Sequence, residues 1–126
     1  MATNVPTGAS LQFASKTNQR DINNFSGQFT ASGSSAVASE ANTARATVAR
    51  TATGKYTVTF PIFYKDIYGY GASLKVATPA GVSIQVDSIT KNSSGKCVMV
   101  IGTYAVTSFA AADATGVICW FADVRR

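Results

Sequence analysis

At 126 residues and 13.1 kDa the chain has the size of one domain with one hydrophobic core. It is 46% hydrophobic but only 13% charged, so much of its surface must be neutral Ser, Thr, Asn, Gly and Ala, a surface readily covered by a partner. The net charge of +5 comes from eleven Lys and Arg scattered singly from Lys16 onward, ending in the Arg125-Arg126 pair; that pattern argues against a specific nucleic-acid binder and for a bias towards acidic partner surfaces. No run of about eighteen apolar residues is present, which excludes a membrane-spanning helix.

In chain order, the segment from Met1 to about Phe25 is polar, with isolated apolar residues at Val5, Leu11, Phe13, Ile22 and Phe25. It shows neither the helical nor the strand period and reads as an extended arm, residues 1–25, ahead of a folded domain, residues 26–126. Such an arm either stays disordered or gains order along another chain. In the second case Leu11, Phe13, Ile22 and Phe25 are its anchors, and Lys16 and Arg20 meet acidic groups. Its start lacks a basic stretch followed by an apolar one, so no secretory signal is visible and folding in a cytosol is expected.

From Ser26 to Glu40, small residues and glycines predict one or two short strands joined by a Gly-Ser turn. The alanine-rich SEANTARA lacks a repeated large apolar stripe and reads as a loop leading into a strand. The next strand, ARATVAR, is followed by Thr53-Gly54 and then KYTVTFP, with Tyr56, Val58 and Phe60 on one face, a hairpin signal. GASLKVA follows, then a Pro79-Ala80-Gly81 turn and GVSIQVDSI, with Val82, Ile84 and Val86 alternating. After the Asn92-Ser93-Ser94-Gly95 turn comes KCVMVIGTY. The last strand, GVICWFADV, is apolar on both faces, as expected of a strand lying between a core and a second contact surface. Six to eight short strands without a credible helix predict an all-β protein, an antiparallel two-sheet sandwich, with a closed small barrel as the nearest alternative.

The chain has no histidine, which removes Ser-His-Asp and Cys-His arrangements and most zinc and iron sites. The six carboxylates Asp21, Glu40, Asp66, Asp87, Asp113 and Asp123 are widely spaced and read as solvated loop ends, not as an acid and base pair. No EF-hand, P-loop or dinucleotide fingerprint occurs. Catalytic residues, metal ligands and cofactors are therefore not expected, and the protein reads as a non-enzyme. Cys97 and Cys119 stand in apolar runs as small hydrophobes, or pair in a disulfide if their strands are neighbours. Tyr64, Tyr68 and Tyr70 in FYKDIYGYG either pack at the sheet edge, contact another subunit or offer a sugar platform. Trp120, the only tryptophan, is read as a core or interface anchor.

The run Thr53-Gly54-Lys55-Tyr56-Thr57-Val58-Thr59-Phe60, the strand Val82 to Ile89 and the closing strand Val117 to Val124 ahead of Arg125-Arg126 resemble a family of small β-sandwich domains in bacteriophage virion proteins. The resemblance covers about two thirds of the chain, from Ala46 to Arg126. It implies a jelly-roll-like domain, often trimeric, at the virion surface, of the capsid decoration (cement) or fibre-tip type. A chain too short for a fibre shaft, with an arm that could lace subunits to a shell, favours decoration, with the major capsid protein as partner and a homotrimer as the unit. The alternative is a receptor-binding fibre or head-fibre module whose loops from Phe63 to Gly71 and from Tyr104 to Gly116 contact host glycans.

Overall fold

A computed structural model describes residues 22–76 and 81–125. They form eight strands: β1 (Ile22–Ser32), β2 (Ala38–Asn42), β3 (Thr47–Ala52), β4 (Lys55–Thr59), β5 (Asp66–Lys75), β6 (Val82–Lys91), β7 (Cys97–Ala105) and β8 (Thr115–Arg125). Two antiparallel four-stranded sheets, ordered β2-β1-β8-β5 and β3-β4-β7-β6, make the predicted sandwich. Three local hairpins, β1–β2, β3–β4 and β6–β7, are joined by crossings between the sheets, with β5 both entered and left by a crossing.

Local turn chemistry sets the hairpins. Gly54 (φ 65°) closes β3 onto β4, where a side chain would run into the Thr103 carbonyl at 2.6 Å. At the β6–β7 turn the Asn92 carboxamide oxygen accepts from the Ser94 and Lys96 amides, both at 3.0 Å, while Gly95 takes the left-handed position (φ 80°).

The period-two pattern delivers the core. Tyr56, Val58 and Phe60 are fully buried, opposite Met99 and Ile101 of β7 in their own sheet and across from Phe29, Ile118 and Val124 in the other. Each such side chain contributes about 1.5–3 kcal/mol of apolar burial. Val82, Ile84 and Val86 alternate towards this core, but Ile89 falls out of step by one residue. A bulge at Asp87, between Val86 and Ser88, restores Ile89 to the inner face. In β5 a second bulge at Tyr68 lies between Ile67, which packs on the core, and the inward series Ala72 and Leu74.

Two expectations shift. Residues 39–42 of the stretch read as loop belong to the edge strand β2, recruited by the β1–β2 turn around Gly33 (φ 62°) despite modest strand propensity. The boundary placed near Phe25 falls inside β1, because Ile22 already pairs with Arg125 and Phe25 with Ala122 of the apolar strand β8. Leu11, Phe13, Lys16 and Arg20 lie outside the described residues.

Candidate functional site

The expected contact residues divide between core and surface. Tyr64 is buried, with its ring 5.0 Å from Phe25, 6.4 Å from Phe60 and 4.4 Å from Phe63. Phe25 therefore has an internal partner. Trp120 is 2% exposed and stands edge-on to Phe60 at 5.6 Å. A Cβ on Gly27 would come within 2.5 Å of its indole, so that glycine makes room for the ring. Trp120 is thus the core anchor of the two readings offered for it. Tyr68 and Tyr70 are about half exposed, and the Tyr68 hydroxyl accepts from the Arg125 guanidinium at 3.3 Å.

Strand β8 explains why its sequence is apolar on both sides. Ile118, Trp120, Ala122 and Val124 enter the core, whereas Val117, Cys119 and Phe121 point to the outer face of the β2-β1-β8-β5 sheet. Phe121, 49% exposed, stands between Ser26 of β1 and Gly71 of β5. A side chain on Gly71 would collide with its ring, so the ring covers the bare glycine backbone. Shallow hollows flank β8: one is lined by Ser26, Gln28, Thr43 and Cys119, the other by Tyr70, Gly71, Ser73 and Phe121. The middle of this face is neutral, small-residued and aromatic.

Cys97 and Cys119 lie in different sheets and both are free thiols. Cys97 is buried and donates to the Lys65 carbonyl at 3.1 Å, and burial pushes its pKa up. Cys119 is half-buried on the outer face.

Two charged clusters depart from the expectation of solvated carboxylates. Over the outer face of the β3-β4-β7-β6 sheet, the bulge turns Asp87 above Gly102, where its carboxylate occupies the space a Cβ would need. It accepts from the Lys55 ammonium, the Tyr104 hydroxyl at 2.6 Å and the Gln85 amide at 2.9 Å. Lys55 also lies 4.5 Å from the Tyr104 ring centroid. Burial pushes the Asp87 carboxyl up, but those hydrogen bonds outweigh it and leave its pKa below the ordinary value; Asp87 and Tyr104 in turn raise that of Lys55. The cluster keeps an ionised acid and a protonated amine, the reverse of a pair poised to exchange protons near neutrality.

The second cluster pins a loop. Asp113, between β7 and β8, receives a two-pronged bond from Arg50 (2.9 and 2.8 Å) and another from the Gly54 amide at 2.9 Å. Arg50 first and Gly54 second hold its carboxyl below the usual range. Nothing in the sequence spacing announces either cluster, since Lys55 and Asp87 meet only because β4 and β6 flank β7.

The stretches Phe63 to Gly71 and Tyr104 to Gly116, expected to contact host glycans, centre on opposite ends of the sandwich, and the first is mostly strand, since β5 begins at Asp66. The 60–65 loop lies beside Arg125 at the end of β8, through the Lys65 amide to the Arg125 carbonyl, whereas the 106–114 loop precedes its start. Eleven residues of β8 separate them, roughly 33 Å at the rise of a strand, so they form two separate surfaces. Phe109, 79% exposed with φ 58°, is the most exposed large apolar side chain among the described residues.

Fold and surface define a small antiparallel β-sandwich with exposed aromatic groups on one sheet face and at both ends. No family model, curated protein or solved structure matches the chain.

Proposed function

We propose that this protein is a non-enzymatic binding module of a bacteriophage virion, a capsid decoration protein that docks on the outside of the head and braces neighbouring coat subunits. The observation that carries the reading is the placement of large apolar side chains in solvent: Phe109 and Val106 at one end, Ile62 and Phe63 at the other, Phe121 between them. Within the monomer the half-exposed Phe121 ring has its cover of Gly71 on one side and solvent on the other, and Phe109 holds a left-handed conformation that a bulky residue adopts only at a cost. Contact with other subunits recovers that cost. The sequence resemblance supports a virion setting, and repeated sites on a shell would multiply a modest single contact through avidity.

The test is to mix the purified chain with heads of its own phage prepared without it and to image them. Regular added density on the shell is the expected result. Failure to bind heads, together with saturable binding to host cells, would transfer the protein to the receptor-binding class.

A further inference from the structure

We infer that the outer face of the β2-β1-β8-β5 sheet is a self-association surface that packs against the same face of a second copy, with Phe121 as its central knob. The inference does not depend on head binding, because the two copies alone satisfy it.

Three properties select a second copy as the occupant. The first is size. Strands β1, β5 and β8 are ten or eleven residues long, with the five-residue β2 beside them; three strands about 33 Å long and one about half that, spaced about 4.8 Å apart, give a projected area of roughly 550 Å². Side-chain relief raises the accessible area towards the ~800 Å² per partner of a standard interface.

The second is charge. With net charge +5, two copies repel over most approaches. The middle of this face carries Ser26, Gln28, Gly71, Ser73, Cys119 and Phe121, none of them charged. Its ends carry opposite signs: Lys75, level with Val117, at one end, and Asp66 and Asp123 with Arg125 at the other. A two-fold axis lying in the face, perpendicular to the strands and level with Trp120, exchanges position 117 with 123. That operation carries each Lys75 over the acidic end of the other copy, and copies related this way bury the same patch twice.

The third is shape. The same axis exchanges the levels of Cys119 and Phe121. Each Phe121 ring then faces the hollows beside the partner's β8, lined by Ser26, Gln28 and Cys119 on one side and by Gly71 and Ser73 on the other. Sheets packed face to face settle about 30° from alignment, which the small residues around Phe121 accommodate.

The full chain is examined by sedimentation equilibrium, with the alkylation rate of Cys119 followed over the same concentrations. Expected are a reversible dimer and a Cys119 rate that rises severalfold as dilution dissociates it, while Cys97, buried in the core, stays silent. Phe121→Asp should weaken association at least tenfold. Ser73→Arg and Ser26→Arg, at exposed positions that leave the core untouched, should do the same with an unchanged far-ultraviolet spectrum. These two keep the test decisive if Phe121→Asp unfolds. A monomer at all concentrations overturns the inference, and one with Cys119 constantly protected assigns the face to residues 1–21 instead. A trimer or larger assembly indifferent to all three variants also overturns it.

Discussion

Gly102→Ala provides a sharp test of how the β3-β4-β7-β6 sheet is held. A methyl group at that position would occupy the seat of the Asp87 carboxylate, so the substitution must expel Asp87 from its contacts with Lys55, Tyr104 and Gln85. Hydrogen bonds to an ionised group contribute about 1.5–3 kcal/mol each when buried. Here the Lys55 and Asp87 side chains are 29% and 15% exposed, and released donors can turn to water, so about 1–2 kcal/mol for the whole cluster is the reasonable expectation. Against this, alanine in a strand is favoured over glycine by about 0.5–1 kcal/mol. Gly102→Ala should therefore destabilise the native protein by about 1 kcal/mol, a fall in Tm of about 4 °C for a domain of this size. In an Asp87→Ala background the seat is empty and the same change should stabilise by about 0.5 kcal/mol. Chemical denaturation followed by the fluorescence of Trp120, the single buried tryptophan, measures all four corners of this cycle. Equal effects of Gly102→Ala in both backgrounds would refute the argument, because the steric conflict would then not lie with Asp87.

Other consequences follow from the same geometry. Asp87 and Asp113 both have lowered carboxyl pKa values, so the stability they supply is complete above the ordinary carboxylate range and is lost as pH falls through their folded values. Thermal melts from pH 6 to pH 2 should show a decline that Asp87→Asn and Asp113→Asn each flatten. Ile101→Ala, at a fully buried position, should cost about 2–5 kcal/mol in equilibrium unfolding; a loss below 1 kcal/mol would mean the core is looser than described. Gly27→Val would press its side chain into the Trp120 indole and the Asn42 Cβ and should cost about 1–3 kcal/mol from overpacking, read as a lower denaturation midpoint with altered tryptophan emission. Cys97 should react with a thiol reagent only at the rate of unfolding, as burial and a raised pKa both withhold its thiolate.

The parts of the structure legible in the sequence are those governed by neighbours along the chain. Tyr56, Val58 and Phe60 declare their common face by spacing alone, and Asn92 with Gly95 declares the turn that follows β6. The doubly apolar run around Trp120 announces a strand with apolar side chains on both faces. The Val82, Ile84, Val86 series followed by the displaced Ile89 already contains the need for a bulge, although it takes the β7 register to show that Asp87 is the residue pushed out. What distant strands create stays hidden. The Asp87 seat depends on Gly102, the Asp113 clamp depends on Arg50 across 63 residues, and neither has a local motif. Tyr64, Tyr68 and Tyr70 look alike in sequence, yet Tyr64 lies in the loop against Phe25 while Tyr68 is displaced by a bulge. Strand β2 is legible only in part: the stretch to Glu40 predicts a second short strand after the Gly-Ser turn, but Ala41 and Asn42 read as loop because an edge position asks little of its side chains.

Strand β8 is the centre of its sheet, flanked by β1 on one side and β5 on the other. On a ribosome, the first and fifth strands emerge long before the eighth, and until it arrives they have no common neighbour to zip onto. The sheet's assembly is therefore deferred until β8 has been made, and pairings such as Ile22 with Arg125 close loops spanning nearly the whole described chain. Topology of this kind slows folding and leaves β1 and β5 as open edges during translation, the interval in which the nascent chain is most exposed to mispairing.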